Sequence, residues 1–179
     1  KGSDMSEVTV CILDRPRHEE LIRRVRAAGA RIKLITDGDV VGSMLAAMPD
    51  RNVDALMGIG GAPEAVISAA AMKCLGGEIQ CLLWPRTDAE RQAAEALGLP
   101  LGETLDTDRL CGGGNAFVSV TGITDGELLH GVHYSAGGAT TQSLVMRSRS
   151  GTVRTIDASH RWDKLMEVTQ IPYRGERPT

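Results

Sequence analysis

Apolar and polar positions over the first hundred residues alternate between two periods. Short, continuous apolar runs lie at 7–13 (EVTVCIL), 31–35 (RIKLI), 53–57 (VDALM) and 78–83 (EIQCLL). Their β-branched and aliphatic content, bounded by glycine or charge, predicts buried strands. Between them the period changes to helical. Leu21, Ile22, Val25 and Ala28 share one face before Gly29, and Val40, Val41, Met44, Leu45 and Met48 stripe a segment that Pro49 stops. Val66, Ile67, Ala70, Ala71 and Cys74 are predicted to be the buried side of a third helix, with Lys73 in its last turn and Gly76-Gly77 after it. Thr87-Asp88-Ala89-Glu90 is a capping box for a fourth helix, closed by Gly98 and Pro100. Four strand–helix units in a row predict parallel strands, right-handed crossovers and helices on both faces of the sheet.

Beyond residue 105 the pattern changes. Residues 107–110 make one short turn and Gly112-Gly113-Gly114 breaks the chain. Strand-like runs at 116–121, 127–134, 140–147 and 152–156 are separated by glycine or polar turns, which predicts antiparallel pairing. The expected fold class is therefore α/β: a mostly parallel sheet of βα units with helices on both faces, followed by antiparallel strands. Residues 1–105 form the βα-repeat portion and 106–179 the strand-rich portion of the same domain. The segment 170–179, rich in proline, glycine and charge, is expected to fray.

Composition changes this picture little. A chain of 179 residues, 42% hydrophobic and 24% charged, fits one globular domain. Its few aromatics (Phe117, Trp84, Trp162, Tyr134 and Tyr173) leave an aliphatic, alanine and methionine core. A net charge of −3 argues against a generic nucleic-acid surface, and no apolar run is long enough to span a membrane. The chain begins at Lys1, so a tag or upstream segment is expected to be missing. Cys11, Cys74, Cys81 and Cys111 form no C-x-x-C pair and read as buried thiols of a reducing cytosol, which makes the expected location cytoplasmic.

In an open parallel sheet, ligands bind beyond the carboxyl ends of the strands. Three polar, glycine-bearing turns are delivered there: Asp14-Arg15-Pro16-Arg17-His18, Thr36-Asp37-Gly38-Asp39 and Gly60-Gly61-Ala62-Pro63-Glu64. Arg15 and Arg17 flank a stiff Pro16, so their guanidinium forks suit one phosphate; the alternative is a solvated pair. Asp37 and Asp39 compete for a helix N-cap role, and whichever is spare is available to sugar hydroxyls or a cation. Gly58, Gly60 and Gly61 suit a tight turn, and Pro63 suits the first helical position. Glu64, in the first helical turn, either complements the dipole or holds a metal that bridges to phosphate. His18 reads as structural, with no partner evident. The stretch from Gly137 to Ser143 is read as a hairpin turn in preference to a second ligand edge. No Walker loop, dinucleotide fingerprint, zinc-protease or serine-hydrolase motif is present.

LDRPRH (13–18), IKLITDGDV (32–40), LMGIGGAPE (56–64), KCLGGE (73–78), TGITDGELL (121–129) and GGATTQSLVMRS (137–148) resemble the class II, GlpX-type fructose-1,6-bisphosphatases of bacteria. The resemblance implies the C-terminal part of a metal-dependent sugar-phosphatase fold. It implies removal of the 1-phosphate of fructose 1,6-bisphosphate with Mn2+ or Mg2+ in gluconeogenesis, with sedoheptulose 1,7-bisphosphate as a further substrate. By the same resemblance Arg15, Pro16, Arg17, Asp37, Gly38, Asp39 and Gly61 contact the substrate, and Glu64 is a metal ligand. The family's other metal carboxylates belong to an N-terminal half with no counterpart here. Catalytic residues are therefore expected in that half, and this chain alone is expected to be inactive. The expected partners are the sugar bisphosphate, the N-terminal half and further copies in a homo-oligomer, with neither nucleic acid nor membrane. A non-catalytic sugar-phosphate binding or regulatory module, and an ordinary nucleotide-binding α/β domain, are the competing readings.

Overall fold

The computed structural model describes residues 4–168; the predicted fraying of 170–179 lies outside them. A three-stranded parallel sheet of order β2-β1-β3 forms the first layer, from β1 (Thr9–Leu13), β2 (Arg31–Ile35) and β3 (Ala55–Leu56). The shortest strand is continued by Asp54 N–H to Thr9 O (2.9 Å) and Met57 N–H to Cys11 O (3.0 Å), so its pairing spans the predicted run.

Central β1 is buried on both sides, and its alternation sorts the helices. Val10 and Ile12 pack against Ile22 and Val25 of α1 (Glu19–Ala27), whereas Cys11 packs with Leu45 of α2 (Asp39–Ala47) and Val53. Helices thus cover both faces, as the crossover rule requires. Gly42 lets α2 lie close to the sheet: a methyl group there would come within 3.0 Å of Leu56 and 3.3 Å of the Cys11 sulfur. Helix α3 (Ala62–Leu75) packs on α2 and turns its other side to a second sheet.

That second sheet is antiparallel. The long hairpin of β8 (Gly138–Arg147) and β9 (Thr152–Arg161) is flanked on the other side of β8 by β6 (Phe117–Thr121) and β7 (His133–Ser135). Met44, Ala71, Met72 and Cys74 meet Val118, Leu129, Leu144 and Met146 in the largest core cluster. The layers run α1, parallel sheet, α2 with α3, antiparallel sheet.

Several expectations are corrected. The fourth run does not join the parallel sheet: β4 (Gln80–Leu82) pairs antiparallel with β5 (Thr104–Asp106). A strand covered on both faces needs near-continuous apolar residues, and Glu78 and Gln80 deny it that. The intervening α4 (Asp88–Ala96) starts at the predicted Thr87 cap but buries none of its residues. In α3, Val66 and Ile67 are exposed, 44% and 49%, while Ser68, Ala69 and Met72 join Ala71 and Cys74 inside. Small residues allow the closer approach to α2. The helix begins one residue before Pro63, so the proline is its second residue.

In the second half, only 133–135 of the run 127–134 is a strand. Asp125 accepts from the Gly131 N–H (2.9 Å) and His133 Nε2 (2.8 Å), folding 125–131 into a loop that buries Leu129. The Gly137–Ser143 turn shrinks to Ala136-Gly137, and the rest belongs to β8. After the short α5 (Thr107–Leu110), β9 outruns its prediction and leads into α6 (Trp162–Val168), where Trp162 stacks on Tyr134 at 5.8 Å. Cys11 and Cys74 are buried as expected; Cys81 and Cys111 are only half-buried, and all four are free thiols.

Candidate functional site

The strand order β2-β1-β3 sends the segments after β1 and β3 toward helices on opposite sides, the arrangement that opens a crevice at the carboxyl edge of an α/β sheet. The three polar turns meet there; hydrogen bonds tie the first to the second and to the third, and the second lies against the third.

The first turn leaves β1 through Asp14 and Arg15 into a 3-10 turn at Pro16–His18, in which Pro16 is the first residue. Arg15 Nη2 donates to Asp37 Oδ1 (2.9 Å) and Nη1 to Asp14 O (3.0 Å), which joins the first turn to the second. Arg17 is exposed and donates from Nε to Ile59 O (3.0 Å), which joins the first turn to the third. Its terminal amino groups make no hydrogen bond among the described residues. His18 is 1% exposed; its Nδ1 lies 2.8 Å from Leu13 O, and its Nε2 lies 2.8 Å from Ile59 N.

The second turn places Gly38 at the N-cap of α2 with φ 87°, a left-handed conformation that suits glycine. Neither aspartate caps the helix. Asp37 is spent on Arg15, and Asp39 is the first helical residue, with Oδ1 on its neighbour's Val40 N–H (3.0 Å). Its other oxygen reaches the third turn: a methyl group at Gly60 would lie 2.7 Å from Asp39 Oδ2. Glu64 folds back in the same way, so that a methyl group at Gly61 would lie 3.1 Å from its carboxyl carbon and closer still to Oε2. Adjacent glycines thus leave room for two carboxylates.

All eight predicted site residues are brought to this edge. What sequence reasoning missed is the double hold on Ile59. Arg17 and His18 take its C=O and N–H, both main-chain groups that no side-chain pattern reveals. The signal available was the unbroken run Arg-Pro-Arg-His at a strand end.

A divalent magnesium or calcium ion takes about six to eight oxygen ligands. Asp39 and Glu64 offer two carboxylates. Among the described residues no group of three or more His, Cys, Asp or Glu is placed to hold a metal ion. These residues do not make a metal centre by themselves.

Two other polar features lie outside the crevice. Asp125 is held below the usual carboxylate range by the Gly131 N–H and by His133, which closes the loop described above. A polar concavity of about 540 Å3 lies at the far end of α3. It is lined by Lys73, Asp108, Gly113, Gly114 and Ser148, and Lys73 there is already spent on Cys111 O, Gly113 O and Asp108. Among the described residues no helix is long and apolar enough to cross a membrane.

Residues 1–160 match the family described as bacterial fructose-1,6-bisphosphatase, glpX-encoded. The chain is 38% identical over 183 aligned positions to the fructose-1,6-bisphosphatase class 2 of Haemophilus influenzae, covering 95% of this chain and 55% of that protein. It is 42% identical over 173 positions to the D-fructose 1,6-bisphosphatase class 2/sedoheptulose 1,7-bisphosphatase of Synechococcus sp. (strain JA-3-3Ab), covering 89% and 50%. A second Synechococcus protein of the same description is 41% identical over the same length. The chain spans about half the length of the curated relatives it matches.

Proposed function

The chain belongs to the bacterial, glpX-encoded fructose-1,6-bisphosphatase family, and from that premise we propose that it supplies the substrate grip of a sugar-bisphosphate phosphatase. The reaction is hydrolysis of the 1-phosphate of fructose 1,6-bisphosphate to fructose 6-phosphate, with sedoheptulose 1,7-bisphosphate as a second substrate. The observation that carries this reading is the first turn hydrogen-bonded to both of the others at the crevice, with two arginines and two aspartates at its lip.

Each residue has a role that its chemistry suits. Arg15 and Arg17 bind phosphate oxygens, with Pro16 holding them apart. Asp37 and Asp39 accept from sugar hydroxyls, and the backbone at Gly38 and Gly61 approaches the substrate closely. Glu64 would contribute one oxygen ligand to a Mn2+ or Mg2+ ion, and such an ion would supply charge neutralisation at phosphate. The remaining ligands and the groups that move protons come from elsewhere in a longer polypeptide. On this reading residues 1–105 are the substrate-binding portion, 106–179 the strand-rich portion, and both are the C-terminal part of a sugar-phosphatase fold. The working protein is a cytoplasmic homo-oligomer in gluconeogenesis.

The test compares phosphate release from fructose 1,6-bisphosphate, with manganese, by the 179-residue chain and by the product of the complete reading frame. Background release by the chain and turnover by the complete product are expected. In the latter, Arg17→Ala should raise KM about 10- to 100-fold, the value of a charge-assisted bond to phosphate. Robust turnover by the chain alone would overturn the division of labour. Binding of the bisphosphate without hydrolysis by the complete product would favour a non-catalytic binding module, the reading that the incomplete metal site supports.

A further inference from the structure

We propose that His18 is the positioning residue of this crevice, a neutral imidazole that locks the glycine turn at 57–61 to the end of β1. The proposal rests on the functional reading above for its catalytic consequence, and on geometry alone for the lock.

Both ring nitrogens face groups whose roles are not negotiable. A carbonyl oxygen only accepts, so the Leu13 contact at 2.8 Å requires a proton on Nδ1. A backbone amide only donates, so the Ile59 contact at 2.8 Å requires a lone pair on Nε2. One tautomer satisfies both, and neither the other tautomer nor the imidazolium does. The ring is buried, and the turn is built around it: a methyl group at Gly58 would stand 3.1 Å from the His18 ring carbon Cε1.

The consequence lies two residues on. Ile59 is gripped at its N–H by His18 and at its C=O by Arg17, so the peptides on either side of it are fixed in space. Gly60 and Gly61 follow directly, and they set where Asp39 and Glu64 lie. His18 reaches the groups proposed to meet substrate only through this turn and through its chain neighbour Arg17, which grips the same Ile59. Its effect on the reaction is therefore positional: loss of the Nε2 bond loosens the turn and leaves β1 and α1 in place.

Two substitutions separate the two bonds. An asparagine amide ends where Nδ1 lies and a glutamine amide reaches toward Nε2, so His18→Asn keeps the Leu13 bond and His18→Gln keeps the Ile59 bond. Amide exchange by NMR on the 179-residue chain should show Ile59 protection within threefold of wild type in His18→Gln and at least tenfold lower in His18→Asn. In the product of the complete reading frame, His18→Asn should raise the KM for fructose 1,6-bisphosphate at least tenfold, and His18→Gln should stay within threefold. Both variants are expected to melt within about 4 °C of each other. Equal Ile59 protection in the two variants, or equal KM values, would overturn the proposal, since a purely structural histidine would be damaged alike by both. If wild type does not hydrolyse the bisphosphate, the functional reading falls and the exchange comparison still decides the lock. If neither variant folds, long-range 1H–15N spectra of the wild-type ring decide it: a proton on Nδ1 alone at neutral pH is expected, and one on Nε2 overturns it.

Discussion

Gly61→Ala sets the two readings of Glu64 against each other with one methyl group. The new Cβ would stand 3.1 Å from the Glu64 carboxyl carbon, with Oε2 nearer still, so the carboxylate has to retreat by about 1 Å to reach ordinary contact near 3.5 Å. The backbone does not object: Gly61 has φ −76° and ψ 151°, which alanine adopts freely. Fewer unfolded conformations favour alanine by about 0.4–1 kcal/mol. Against this, alanine is a poorer N-cap than glycine, by up to about 1 kcal/mol. The terms nearly cancel, and the group displaced is the end of a flexible side chain. Stability should therefore move by less than about 1 kcal/mol, or about 2–4 °C in Tm for a domain of this size. The effect on a reacting site is larger, because a displacement of about 1 Å costs on the order of 100-fold. The assay pairs calorimetry of the 179-residue chain with a manganese titration of activity in the complete product. A rise of at least tenfold in the manganese needed for half-maximal rate, with Tm within 4 °C, is expected. Gly112→Ala is the control, since a methyl group there meets nothing within 4 Å. An unchanged manganese dependence in Gly61→Ala would show that Glu64 serves only the helix dipole, and an equal rise in Gly112→Ala would refute the steric reasoning.

Two further expectations concern the rest of the molecule. Burial raises the thiol pKa of Cys11, Cys74 and Cys81 above the ordinary value, so less thiolate is present at any given pH; alkylation at pH 8 should label Cys111 first, Cys81 only as pH rises, and Cys11 and Cys74 only after unfolding, as peptide mapping would read. On α3, Val66→Ser and Ile67→Ser should each cost less than about 1 kcal/mol in urea unfolding because both are half-exposed, while Met44→Ala in the main core should cost about 2–5 kcal/mol.

How far the fold could be read in advance follows from how local its causes are. Strands β1 and β2 and the ends of α1 and α3 were legible because the reasons sit within a few residues: Gly29 and Gly76 end these helices with φ of 86° and 74°. The three turns were legible because strand ends and glycines mark them. The direction of β4 was not, because pairing is a choice among distant partners, and 104–106 won. The buried face of α3 was not, because AVISAAAM carries no polar stripe and period alone cannot choose a side. The loop at 125–131 escaped because one carboxylate gathers its amide and imidazole donors across six to eight residues. Within the site, the turns that meet were legible and the bonds between them were not, since two of the three end on main-chain atoms.

Those bonds divide into two kinds, and the division suits a binding site. The Arg15–Asp37 pair is open to water, with Asp37 86% exposed, and an exposed ion pair is worth only about 0–1 kcal/mol. Exchanging it for a phosphate therefore costs little, and Arg15 is available to a ligand without a large rearrangement. The His18 ring is buried, its bond to Leu13 O wholly and its bond to the Ile59 N–H partly, so breaking them costs more than parting the open ion pair and the turn at Ile59 stays closed while the lip rearranges. Arg17 belongs to both kinds: Nε is held on Ile59 O and the rest of its fork faces solvent. A grip of this sort is ordered before the ligand arrives, so little conformational entropy is lost on binding. The weak pair is the movable part, and the buried histidine is the part that keeps its shape.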